Sequence, residues 1–133
     1  MPQNDFDWNS MTNEELAKEA SFFRYDNDDG SDVFFDVKDA KWSLIRINPL
    51  SFSIFNYEEA KCWIEKEISN FILDGNNFRA NMYKKMIDDG IKDPIIVGKN
   101  QENYGIWDGW HRFAISIIRN ENVFTILGVK YEN

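Results

Sequence analysis

The 133 residues include only one cysteine and one histidine, and each scarcity excludes something. A lone thiol, Cys62, closes no internal disulfide, and with a single imidazole there is no Cys/His grouping at zinc-ligand spacing. No apolar run approaches the roughly 20 residues of a membrane span, and the first residues lack the basic-then-apolar pattern of a signal peptide. The expectation is a soluble cytoplasmic protein with no membrane association. Positive charge is also short, with 15 Lys and Arg against 23 Asp and Glu and a formal charge of −8. Most nucleic-acid binders neutralise phosphates with a basic surface, so direct DNA binding is disfavoured. A local basic spot for a nucleotide, an acidic face for a basic partner, and plain solubility all remain compatible with such a charge.

Aromatic residues are plentiful, at 16% of a chain that is 43% hydrophobic, which suffices for one sound core and predicts a single domain. Thr12 with Glu15, and Asn56 with Glu59, have the spacing of capping boxes. The first opens a short helix carrying Leu16, Ala20 and Phe23. The second opens a longer one with a stripe of Ala60, Trp63, Ile64, Ile68, Phe71 and Ile72, up to an Asp74-Gly75 stop. Cys62 lies beside that stripe and suits packing better than chemistry, since only Lys66 is a basic neighbour at helical spacing. A third helix begins near Asn77 and carries Phe78, Met82, Met86 and Ile87 before Asp89-Gly90; its methionines are at core spacing.

Val33 to Val37 is β-prone, and Trp42 to Ile47 reads as a strand with apolar residues on both faces, hence central or well covered. Further strands are expected at Ile95 to Val97, Tyr104 to Trp107 and Phe124 to Val129. Met1 to Ser10 reads as a loose arm. The acidic run Asp26 to Asp32 reads as an exposed turn, because the alternating ligands and distal Glu of a calcium loop are missing. The fold class is therefore α/β, an α+β mixed sheet with packed helices, and no dinucleotide-binding Gly-rich loop is present.

The only histidine falls in Asp108-Gly109-Trp110-His111-Arg112, between a strand and a helix whose stripe is Trp110, Phe113, Ala114, Ile117 and Ile118. His111 and Arg112 fall off that stripe, in the first turn. A helix N-terminus carries unpaired N–H groups and a partial positive charge, so a cation there is normally disfavoured. An anion shared by the amides, the imidazole and the guanidinium would account for it, with Gly109 permitting close approach. The alternative is that Arg112 pairs with Asp108 or another acid and that His111 is hydrogen-bonded within the fold.

The C-terminal half resembles the ParB/sulfiredoxin superfamily. The resemblance lies in a helix ending in Asp-Gly, Asp93-Pro94-Ile95-Ile96-Val97-Gly98, Tyr104-Gly105-Ile106-Trp107-Asp108-Gly109, His111-Arg112 followed by Ala114, and a closing strand. Trp42 to Ile47 with Asn48-Pro49-Leu50 is similar to the opening strand of that domain. This divides the chain into residues 1–40, an arm and short helix, and 41–133, a ParB/sulfiredoxin-like domain. The resemblance implies binding of nucleotide phosphates, as ATP in sulfiredoxins and free-serine kinases or CTP in ParB proteins. It implies Gly109, His111 and Arg112 as phosphate-binding residues. Trp110 stands where sulfiredoxins have their catalytic cysteine and ParB proteins the glutamate of a Gly-Glu-Arg-Arg box, so sulfinic-acid reduction is not expected. Asp108 is the one carboxylate placed to hold Mg²⁺ or act as a base. Three functions remain as expectations: a nucleotide-binding ParB-like domain; an acidic non-enzymatic inhibitor or DNA-mimic protein of a phage or mobile element, acting on a basic nucleic-acid-binding protein; or a purely structural interaction domain.

Overall fold

A computed structural model of the chain describes residues 8–22 and 33–132. These form a mixed α/β structure of four α-helices and one four-stranded sheet. In order they are α1 (Asn13–Ser21), β1 (Ala40–Ile47), α2 (Tyr57–Leu73), α3 (Asn77–Asp89), β2 (Ile95–Asn100), β3 (Asn103–Asp108), α4 (Trp110–Ile118) and β4 (Val123–Lys130). Among the described residues no helix is long and apolar enough to cross a membrane. Phe23 and the acidic run Asp26 to Asp32 lie outside the described residues. The chain divides into two compact units.

The first unit takes the residues up to Arg46, Asp93–Gly109, and Phe124 onward. Its sheet has the order β1-β4-β2-β3. β2 runs parallel to β4, with Ile96 opposite Ile126, and antiparallel to β3, with Lys99 opposite Tyr104 and a bulge between Ile96 and Val97. The continuously buried runs Ile95 to Gly98 and Thr125 to Gly128 are what interior strands require. Leu16 and Ala20 of α1 join Phe35, Trp42, Ile96, Trp107 and Ile126 in one core. The two buried tryptophans meet edge to face at 5.4 Å. Each indole N–H is satisfied, Trp42 Nε1 donating to the Val37 carbonyl (2.8 Å) and Trp107 Nε1 to the Val33 carbonyl (2.9 Å).

Those two bonds explain a departure from expectation. Val33 to Val37 is not a strand: it is irregular and turns into a 3-10 segment, Val37–Asp39, whose Lys38 N–H donates to the Asp36 side chain at 3.2 Å. The β-branched composition is overridden because the indoles take up the Val33 and Val37 carbonyls. The strand expected at Trp42 to Ile47 is present, but β1 lies at an edge of the sheet and leaves Ile45 exposed. Its apolar outer face is no sign of a central position. Of the stretch expected to be a loose arm, Met1 to Asp7 lies outside the described residues, and Trp8–Ser10 is a 3-10 turn with Trp8 packed on the core.

The second unit comprises Ile47–Lys92 and Trp110–Val123. Within it α2 packs against α3 and α4, and α4 also meets the 3-10 turn Pro49–Phe52. The Asn56–Glu59 capping box is formed in both directions, at 2.8 and 2.9 Å, as is that of Thr12 and Glu15 in the first unit. α2 buries Ala60, Ile64 and Ile68 but leaves Cys62 and Ile72 exposed. On α3 the buried residues are Ala80 and Tyr83, whereas Met82, Met86 and Ile87 are half-buried and Phe78 is 79% exposed. The seam of α3 is thus set by tertiary packing about one residue off the expected apolar stripe. Phe113, Ala114, Ile115, Ser116 and Ile117 of α4 are all buried, a helix enclosed all round rather than striped, and Trp110 is instead 41% exposed. Arg119 ties the ends of α3 and α4, donating to the Ile87 carbonyl (2.6 Å) and to Glu121 (2.8 Å). The Glu121 hydrogen bond raises its pKa further, so this latch is permanently charged.

Candidate functional site

Three of the four α-helices begin with a side-chain cap: Thr12 before α1, Asn56 before α2 and Asn76 before α3. α1 and α2 also carry two glutamates each in the first turn, which suits the positive end of a helix. α4 is different. The residue before it is Gly109, which has no side chain to cap with and holds φ at 96°, in the region that side-chain-bearing residues rarely adopt. No acid occupies the first turn of α4; His111 and Arg112 stand there. Asp108 is the last residue of β3. Asp108 and Arg112 are both half-buried and engaged with the protein.

The imidazole of His111 is held on both faces and both nitrogens. Trp63 of α2 stacks on one side (4.8 Å between centroids, 12° between planes) and Tyr83 of α3 also stacks on it (4.5 Å, 19°). Nε2 lies 2.9 Å from Glu67 Oε1, and Nδ1 lies 3.2 Å from the Tyr83 hydroxyl. That hydroxyl accepts a hydrogen bond from Arg79 at 2.9 Å. The stack continues from Trp63 to Phe55 (5.7 Å), and Phe71 packs on Tyr83 at a tilt (5.5 Å, 48°). His111 is therefore the centre of an aromatic column tying α2, α3 and α4. Each such ring pair contributes about 0.5–1.5 kcal/mol beyond its buried area. The Glu67 bond lies near the low end of the 1.5–3 kcal/mol range for hydrogen bonds to charged groups, roughly, because both side chains are about a quarter exposed.

The sequence placed His111 and Arg112 in the first turn correctly but did not reveal Glu67, Trp63 and Tyr83 as neighbours. A partial signal existed. Trp63 and Glu67 are four residues apart on α2, as are Arg79 and Tyr83 on α3, so each pair shares a helix face. Which of those faces met the histidine depended on the packing of three helices.

Among the described residues, no three His, Cys, Asp or Glu cluster to hold a metal ion. A cavity of about 50 Å³ lies at the opposite end of α4, lined by Asn48, Ser116, Asn120 and Glu121 among others. Cys62 stands alone and exposed on α2. No family model, curated protein or solved structure matches the chain.

Proposed function

We propose that this chain is a ParB-like nucleotide-binding domain in which the first turn of α4 receives phosphate oxygens. The single observation that carries the reading is the left-handed Gly109 between β3 and α4, followed by a first turn bearing His111 and Arg112 and no acid. A helix start of this kind favours an anion through its amides and dipole, and a guanidinium adds bidentate contacts. Gly109, His111 and Arg112 are the proposed phosphate-binding residues. Asp108 is the proposed ligand of a Mg²⁺ ion accompanying ATP or CTP, nucleotides suggested by the superfamily resemblance.

Calorimetric titration of ATP, CTP and ADP with Mg²⁺ tests this. Arg112→Ala should weaken binding by about 1.5–3 kcal/mol, the scale of a charged hydrogen bond, and Arg112→Lys should restore only part, because an ammonium cannot make the bidentate contact. No binding to the wild type, or equal binding to wild type and Arg112→Ala, refutes the proposal.

A second reading, the acidic inhibitor of a basic nucleic-acid-binding protein, draws on a separate observation. Leu73 (82% exposed) and Phe78 (79%) stand close in sequence around the α2–α3 turn, with Ile72 also exposed. Exposed apolar groups of this kind suit a protein contact, and the chain's net charge of −8 suits a basic partner. Its signature is an association that weakens with salt and competes with the partner's nucleic acid.

A further inference from the structure

The imidazole of His111 offers a ligand only one approach. Its faces are covered by Trp63 and Tyr83, and Nδ1 is turned to the hydroxyl of Tyr83, a residue only 3% exposed. Nε2 is the remaining point of contact, on a side chain 26% exposed, and it is taken by the Glu67 carboxylate at 2.9 Å. Glu67 reaches it from α2, 44 residues away in sequence. A carboxylate and a phosphate present the same chemistry to this nitrogen, oxygen acceptors carrying negative charge. Both cannot occupy it at once.

We infer that Glu67 is a built-in competitor for the anion, a carboxylate that holds His111 Nε2 until a phosphate displaces it. This rests on the phosphate reading of the α4 turn and adds a gate to it. Binding through His111 then requires the Glu67 side chain to swing away. Glu67 is 28% exposed, so it has solvent to move into, while the ring stays clamped between Trp63 and Tyr83. The competition also works electrostatically. Displaced into solvent, the carboxylate still repels the phosphate, and with water-like screening the repulsion between charges near contact weakens binding roughly tenfold.

The test uses Glu67→Gln, whose amide oxygen still accepts the bond from Nε2 while the charge is removed, so the three-helix column is kept. Inorganic tripolyphosphate is titrated into wild type, Glu67→Gln and Arg112→Ala, and thermal unfolding of each protein is measured alongside. The expected result is binding roughly tenfold tighter to Glu67→Gln than to wild type, with Arg112→Ala weakened. Because the chain has one histidine, ¹⁵N-histidine labelling gives a single imidazole spectrum. In the wild type the Nε2 resonance should move on tripolyphosphate addition while Nδ1 changes less, a readout that does not depend on the stability of any variant.

Equal or weaker binding to Glu67→Gln, or an Nε2 resonance that stays fixed while tripolyphosphate binds, overturns the gate and leaves the phosphate site standing on Arg112 and the α4 amides. No binding to either wild type or Glu67→Gln overturns the gate and the phosphate site together.

Discussion

Gly128 of β4 is the position where adding one methyl group should do the most damage for the least change in chemistry. A Cβ built there would lie 2.5–2.6 Å from three carbons of the Trp42 six-membered ring, Cη2, Cζ2 and Cζ3, whereas ordinary contact starts near 3.4 Å. The ring would have to retreat by about 0.9 Å, the difference between those distances. It has little freedom to do so. Trp42 is 2% exposed, its Nε1 is bonded to the Val37 carbonyl at 2.8 Å, and it packs against Trp107 at 5.4 Å and Phe35 at 6.3 Å. Overpacking of this kind costs about 1–3 kcal/mol, and stretching or losing the indole hydrogen bond adds about 0.5–1.5 kcal/mol. Gly128→Ala should therefore lose about 2–4 kcal/mol, a large share of the roughly 5–15 kcal/mol that stabilises a typical domain. In urea, with a denaturant slope of about 2 kcal/mol per M, the midpoint should fall by about 1–2 M. Far-UV circular dichroism is the right probe, since Trp42 fluorescence reports the mutated contact itself. The mechanism makes a sharper demand. The three clashing carbons are absent from a phenylalanine ring, so in a Trp42→Phe background Gly128→Ala should cost at least about 1 kcal/mol less than in the wild type. A Gly128→Ala protein within about 0.5 kcal/mol of wild type, or strictly additive effects in the double mutant, would refute the packing argument.

Cys62 is exposed on α2, so Cys62→Ala or Cys62→Ser should change stability by less than about 0.5 kcal/mol and leave the proposed nucleotide binding as it is in the wild type; a loss confined to the folded variant would give the thiol a role that its solitary position does not suggest. Asn56→Ala should cost about 1 kcal/mol in urea unfolding, because it removes the side-chain acceptor of the Glu59 N–H at 2.8 Å. Asn56→Asp should keep most of that stability, and an Asn56→Ala protein as stable as wild type would show that the capping box adds nothing to α2.

Much of the architecture was legible because it is decided locally. A capping box needs only two side chains three residues apart, and both expected boxes formed. Runs such as Ile95-Ile96-Val97 became interior strand, and the turn from β3 through Gly109 into α4 lies where the sequence placed it, since strand, glycine and helix signals adjoin there. Tertiary structure decided what depends on distant partners. Val33 to Val37 has strand composition, yet two tryptophans consume its carbonyls, one of them 74 residues away. β1 reads as central or well covered because both its faces are apolar, but strand order is a property of the whole sheet, and β1 lies at its edge. The surroundings of His111 show the same division. Its place in the first turn of a helix follows from chain order, whereas its partners Glu67 and Tyr83 lie 44 and 28 residues away on two other helices, and only the packing of those helices puts a carboxylate on the one nitrogen left open.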